Sequence, residues 1–351
     1  MRIGLIARAD SRGLGVQTKA FYDNMQPAKT LVVDCPSAKP LPLRFDWYPD
    51  ATVVHGLPSN DDLERFVYEL DVVFTCETAY NNDLYRIARK RGVRTVLQYN
   101  HEFFEHLHQP RLHKPDVFAA PSLWRMDEVH FENLVLLPVP VDTRKFTINE
   151  SREARRFLHI VGRPAIYDRN GTLDVLKALP YIKTDIQVTL RCQEPGYVES
   201  MLHQVPNIPG NVQVTVEPGD VENYWDMYTG HDVLLMPRRF GGLCLPVNEA
   251  LAAGMPVIMP NIAPNNQWLP ADWLVGASKT ATFHAHTHVD VHAVNPEAYA
   301  AKISEWADNS SIFQAQQQLA QEYARWLSWT ALKPLYHKVL AGDDGSTPPA
   351  S

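Results

Sequence analysis

The feature that most constrains this chain is a rhythm that runs along it twice: short runs of Val, Ile and Leu alternate with amphipathic stretches. Candidate strands in the first cycle are 2–7, 30–34, 52–55, 72–75, 95–98, 117–120 and 134–137. Runs so short and so continuously apolar suit strands covered on both faces, as in a mostly parallel sheet with helices packed on it. Leu63, Phe66, Val67 and Leu70 recur at helical spacing after Ser59, and Leu84, Ile87 and Ala88 do so before Gly92, a C-terminal stop. The rhythm lapses over 149–156, Asn-Glu-Ser-Arg-Glu-Ala-Arg-Arg, a solvated stretch suited to an interdomain connection. It resumes with strands at 157–161, 186–190, 212–216, 233–236 and 256–259 and helices at 173–179, 221–228 and 247–253. A second open α/β sheet is therefore expected, and 351 residues at about 150 per domain agree with two domains. The stretch 314–340 reads as a long amphipathic helical region bent or broken just before Pro334, and 342–351 as a disordered Gly/Pro/Ser tail.

Composition narrows the function. Hydrophobic residues at 45% and charged residues at 21% supply two substantial cores. A formal charge of −7 leaves no cationic coat for nucleic acid or membrane, so any polyanion must be met by a local patch. Cys35, Cys76, Cys192 and Cys244 lie far apart without a Cys-x-x-Cys pair, which argues for a reducing compartment over a disulfide framework or zinc ribbon. The apolar run at 2–7 is too short for a signal peptide. The longest apolar stretches, such as 134–141, are broken by prolines and fall short of the roughly 20 residues of a membrane-spanning helix. A soluble, cytoplasmic protein without membrane insertion is expected.

In sheets of this kind ligands bind at the carboxyl ends of the strands, and with two domains a cleft between them is the default site. The most informative segment is 236–258, Met-Pro-Arg-Arg-Phe-Gly-Gly-Leu-Cys-Leu-Pro-Val-Asn-Glu-Ala-Leu-Ala-Ala-Gly-Met-Pro-Val-Ile. A strand end leads through Gly241 and Gly242 into a helix that starts near Pro246 and stops at Gly254. Amides of Gly242, Leu243, Cys244 and Leu245 would be free at that helix N-terminus, where the dipole favours an anion such as a diphosphate. Glu249, one turn in, offers a carboxylate to a ribose diol. The bare residues also fit a tight turn with a solvated Glu249.

This segment resembles the signature of family 4 glycosyltransferases, Glu-Gly-Phe-Gly-Leu-Pro-x-x-Glu-Ala-x-Ala-x-Gly-x-Pro-Val-Ile, closely over 245–258. The resemblance implies retaining enzymes of GT-B architecture, two facing Rossmann-like domains with an interdomain cleft. It implies 1–150 as an acceptor domain, 151–325 as a nucleotide-sugar donor domain and 326–341 as a helix crossing back to the first. Glu249 then holds the donor ribose, while the family's first Glu, a donor-sugar ligand, falls on Gly241. The Arg-Arg-Phe-Gly-Gly-Leu-Cys-Leu-Pro variant resembles phage-encoded members.

Other segments extend the resemblance. In 161–171, Arg163 matches the family's Arg and Arg169 is the best match to its second cation, a pair that would neutralise a departing nucleoside diphosphate without metal; on the bare residues both also fit a solvated loop. The loop 8–18 carries Gly13 and Gly15, and the family's corresponding loop lies by the donor phosphates. His101, after the strand 95–98, matches a His that lies beside the reacting sugar, where it would donate a hydrogen bond or manage the acceptor proton. Ser328-Trp329 and 335–340 resemble the C-terminal helix. The alternating His284, His286, His288 and His292 could present imidazoles to zinc, but a solvated edge strand accounts for them and no metal is expected.

Uridine diphosphate is the family's commonest leaving group, so a UDP-sugar is the expected co-substrate and no other cofactor is expected. For the acceptor, the loop 101–114 offers Phe103, Phe104, His106, His108, Arg111, His113 and Lys114 to a base and its phosphates. Nearby Arg86, Arg89, Lys90, Arg91 and Arg94 form a basic helix end. With the phage-like motif this suggests DNA bearing hydroxymethylated pyrimidines. A saccharide or lipid-linked acceptor, or a non-catalytic sugar-nucleotide-binding protein, stays open.

Overall fold

The computed structural model describes residues 1–35, 43–107, 109, 111–205 and 207–343; His108 and the expected tail from residue 344 onward lie outside these. The chain divides into two compact units, one of Met1–Val139, Ala285–Thr287 and the stretch from Trp329, the other of Pro140–His284 and His288–Ser328. The division falls before the polar stretch 149–156 because that stretch is tied into the second unit. Asn149 Nδ2 donates to His231 O at 2.6 Å and Asp232 Oδ1 at 2.8 Å, and the Val141 amide donates to Leu327 O at 2.8 Å.

The first unit contains β1 (Ile3–Ala7), α1 (Gly13–Met25), β2 (Lys29–Asp34), β3 (Thr52–His55), α2 (Asn60–Val67), β4 (Val72–Glu77), α3 (Asp83–Lys90), β5 (Arg94–Tyr99), β6 (Val117–Ala120) and β7 (Leu134–Leu136). Its strands pair in parallel in the order β3-β2-β1-β4-β5-β6-β7. Local sequence sets the helix ends. Ser59 and Asp62 close a reciprocal capping box at the start of α2, and Gly92 takes φ +68° just past α3. One sheet face packs Ile6, Val33 and Val73 against Leu63, Phe66 and Ile87 of α2 and α3. On Phe74 of β4, Phe21 of α1 stacks at 4.3 Å and Tyr336 packs at 5.9 Å.

The second unit contains β8 (Arg156–Gly162), α4 (Thr172–Ala178), β9 (Ile186–Cys192), α5 (Tyr197–Leu202), β10 (Val212–Pro218), β11 (Val233–Leu235), α6 (Leu245–Ala252), β12 (Val257–Pro260), β13 (Leu274–Val275), β14 (Ala277–His284), β15 (His288–Val294), α7 (Pro296–Asp308) and α8 (Ser310–Trp326). Strands β10-β9-β8-β11-β12-β13 form a second parallel sheet. The expected α/β architecture of two such sheets is what the chain adopts.

Two local expectations change. The stretch 221–228 holds only a 3-10 turn, Tyr224–Tyr228. The C-terminal helical region breaks at Leu327–Ser328, where the chain bridges to Val141, and Pro334 is carried inside α9 (Trp329–Ala341), which packs in the first unit. The histidine-rich stretch forms an antiparallel hairpin, β14 with β15, both of them edge strands as expected, on which exposed His284 and His288 lie among exposed positions that alternate with buried Val289 and Val291. Among the described residues no cluster of His, Cys, Asp or Glu could hold a metal ion, and no helix is long and apolar enough to cross a membrane.

Candidate functional site

In each sheet the strand order reverses beside its first strand, between β1 and β4 and between β8 and β11. Loops leaving those carboxyl ends diverge and open a crevice. In the second unit they are 163–171, from β8 to α4, and 236–244, from β11 to α6.

The α6 loop has the features expected of an anion site. Cys244 is the N-cap residue, with no side-chain cap, and Pro sits in the first turn. Among the described residues, the amides of Gly242, Leu243, Cys244 and Leu245 donate to no backbone or side-chain acceptor. Gly241 takes φ +108°, a left-handed backbone that a glutamate would adopt only under strain. This gives a local reason for glycine where the family pattern has its first Glu.

Glu249 lies on α6, 8% exposed. Side chains on a helix lean toward its N-terminus, which directs this carboxylate back toward the start of α6. The Tyr228 hydroxyl donates to Glu249 Oε2. Burial pushes the carboxyl up to about 7, against the lowering effect of that hydrogen bond, and burial beside it pushes the Tyr228 phenol far up. Sequence reasoning missed Tyr228; placing 221–228 in a helix hid the 3-10 turn that presents it.

The other loop is bound to this one. Gly171 takes φ +75°, and a Cβ there would stand 2.2 Å from Pro237 O. The Arg239 amide donates to Arg169 O at 2.8 Å, and Arg239 Nη1 donates to Tyr167 O at 3.1 Å. Arg239 Nε also donates to His292 O of the hairpin at 2.9 Å and lies 3.8 Å from Asp174. Arg239, unmarked in the sequence except as half of a basic pair, thus joins three segments. Half-buried Arg169 places its guanidinium 5.3 Å from the Phe240 ring centre, and Arg163 is half-buried in the same loop. The chain pays for this turn: Tyr167 and Asp168 take φ +55° and +49°. Asp168 stabilises it by accepting the amides of Thr172 at 3.0 Å and Leu173 at 2.8 Å. At the base of the crevice fully buried His159 bonds Leu235 O through Nδ1 at 2.8 Å and Thr172 Oγ1 through Nε2 at 3.0 Å, and burial lowers it to about 4.

The first unit places the remaining candidate residues. A Cβ on Gly15 would stand 1.9 Å from Asp10 O, so this glycine serves the packing of α1 on its own loop. Gly13, the first residue of α1, is exposed. Asp10 is buried, accepting from the Arg12 amide at 3.1 Å and Arg8 Nε at 2.9 Å. His101 is 3% exposed; its Nε2 lies 3.7 Å from Glu128 Oε2 and its ring 5.6 Å from that of Trp124. Phe104 is buried, stacked on Tyr99 at 4.3 Å and edge-on to Phe118 at 5.3 Å, and contributes to the lining of a cavity in the first unit. Phe103 and Arg111 are exposed. The basic helix end is largely neutralised, since Arg86 pairs with Asp83 at 3.0 Å, Arg89 with Asp116 at 3.5 Å and Arg91 with Glu64 at 3.7 Å.

Solved structures similar to this chain are GT-B glycosyltransferases. Sucrose-phosphate synthase from Thermosynechococcus elongatus aligns at TM-score 0.68 and 14% identity, over 97% of this chain and 100% of its own. A glycosyltransferase from Rickettsia africae aligns at 0.69 and 12%, over 99% of both chains. HepE from Anabaena, solved with UDP and glucose, aligns at 0.70 and 12%, over 97% and 100%. No curated protein matches the chain. These likenesses establish the GT-B fold. Residues 155–309, from β8 through α7 and so the whole of the second-unit crevice, match the family model described as Glycosyl transferases group 1.

Proposed function

We propose that this protein is a retaining glycosyltransferase that moves a sugar from a nucleoside-diphosphate sugar, a UDP-sugar, to an acceptor hydroxyl. The observation that carries this reading is the start of α6, with its unclaimed amides from Gly242 to Leu245 and the carboxylate of Glu249 on the same helix. An anion held at a helix N-terminus with a diol behind it describes a nucleoside diphosphate. In the reaction the bond from the anomeric carbon to the diphosphate breaks and the acceptor oxygen bonds the same face of that carbon, its proton leaving toward the departing phosphate. The negative charge that develops is met by the amides and by Arg163 and Arg169, in the role a metal ion plays elsewhere. The HepE structure, which holds UDP, supports uridine as the base.

The first unit's proposed part is the acceptor's. A cavity of about 280 Å³ there is lined by Glu77, Asn82, Phe103, Glu105 and His106 among others. Its carboxylates, and the pairing of Arg86, Arg89 and Arg91, disfavour a polyanion. A saccharide hydroxyl fits this lining better than hydroxymethylpyrimidine DNA. His101 is proposed to serve a proton or a sugar hydroxyl of the reaction. The test is a transfer panel: UDP-glucose, UDP-galactose and UDP-N-acetylglucosamine against neutral saccharides and hydroxymethylcytosine DNA. Transfer to a saccharide supports the reading. Binding of the donors with neither transfer nor hydrolysis would instead identify a sugar-nucleotide-binding protein.

A further inference from the structure

We infer that Tyr228 is a positioning residue for the donor ribose, acting through Glu249; this rests on the donor-site reading above. The torsion that turns a glutamate carboxylate is broad and roughly two-fold, so a carboxylate meant to receive two adjacent hydroxyls needs an anchor to hold its plane. Tyr228 is 1% exposed and its hydroxyl donates to Glu249 Oε2. Among the described residues no other side chain or backbone group bonds the Glu249 carboxylate. One oxygen is thereby tethered to the protein and the other is left for the nucleotide. The tether is rigid: the phenol is wedged edge-on against Phe146 at 5.7 Å, and the 3-10 turn that carries it packs on α6. A hydrogen bond to a charged group is stronger than one between neutral partners and fixes direction as well. The structure thus assigns to the buried tyrosine the task of aiming the ribose ligand.

The test is a cycle on protein and ligand together. UDP, GDP and ADP are titrated by calorimetry, and the tightest binder is compared with its 2′,3′-dideoxy analogue against wild type, Tyr228→Phe, Glu249→Gln and the double variant. Tyr228→Phe is expected to weaken the diphosphate about tenfold and to leave the dideoxy analogue within about twofold of wild type, because the analogue lacks the diol that the carboxylate receives. Equal weakening of both ligands would assign Tyr228 a merely structural role, and no weakening of either would remove the role altogether; each overturns the inference. The double variant should bind within twofold of Glu249→Gln, and weaker binding refutes action through Glu249; if neither tyrosine variant folds, a crystal structure of the wild type with UDP decides, the ribose on the Glu249 oxygen that Tyr228 leaves free supporting the inference and a ribose that displaces Tyr228 refuting it. Should Glu249→Gln itself bind every diphosphate as wild type does, the donor-site reading fails; should it weaken binding while Tyr228→Phe does not, only the present inference fails.

Discussion

Gly171→Ala tests the joint between the two loops of the crevice. Two costs are readable from the structure. The residue takes φ +75°, and a non-glycine residue in that region costs roughly 1–2 kcal/mol. The new methyl would also stand 2.2 Å from the Pro237 carbonyl, a backbone atom on the segment leading to Gly241, and forcing such a contact costs about 1–3 kcal/mol. Gly196→Ala is the control, because Gly196 takes φ +80° with nothing within 4 Å of its Cβ and so carries the first cost alone. Urea unfolding of the two variants should therefore place Gly171→Ala below Gly196→Ala by about 1–3 kcal/mol. Nucleotide binding should weaken in Gly171→Ala only, since the methyl pushes the 236–244 loop away from Arg169. Equal destabilisation, or equal nucleotide affinity in the two variants, would refute the claim that close approach at Gly171 sets the crevice.

Arg169→Ala should slow transfer about 100-fold, the scale of losing one transition-state charge partner, with the fold intact by circular dichroism; steady-state kinetics would show otherwise if kcat held. The pH dependence of stability follows from Glu249, whose folded-state value of about 7 lies above its ordinary 4.5. Between those values the folded chain keeps a proton that the unfolded chain has lost, so stability falls as pH rises from about 4.5 to 7, by about 3 kcal/mol. Glu249→Gln should remove that slope, and a difference between wild type and variant that stays constant from pH 4.5 to 8 would contradict it. His159 acts at the acid end. Buried neutral with a value near 4, it withdraws stability as pH falls below about 6.5, and His159→Gln should flatten that limb of the curve measured by thermal melting.

The parallel sheets were legible because each strand is short and apolar on both faces, a pattern that survives without tertiary information. The α6 segment was legible because its chemistry is local, with glycines, a helix start and a carboxylate one turn in. What stayed hidden depends on distant partners. Nothing in the sequence near Tyr228 says that its hydroxyl meets Glu249. Arg239 looks like any basic residue until the loop 163–171 and the hairpin close on it. Phe104 and Phe103 are adjacent aromatics in sequence, and only packing on Tyr99 separates the core residue from the exposed one. The histidine alternation signalled a strand, yet its pairing partner was supplied by β14. The break at Leu327–Ser328 comes from a bridge to Val141, stronger in its effect than the proline in α9.

The second unit is proposed to grip a nucleoside diphosphate at the start of α6. A crystal structure of the protein with UDP tests it most directly. The diphosphate should lie on the amides of Gly242 to Leu245, with Arg163 and Arg169 turned to it and the ribose hydroxyls on Glu249. UDP bound away from α6, with the Glu249 carboxylate meeting only Tyr228, would contradict it.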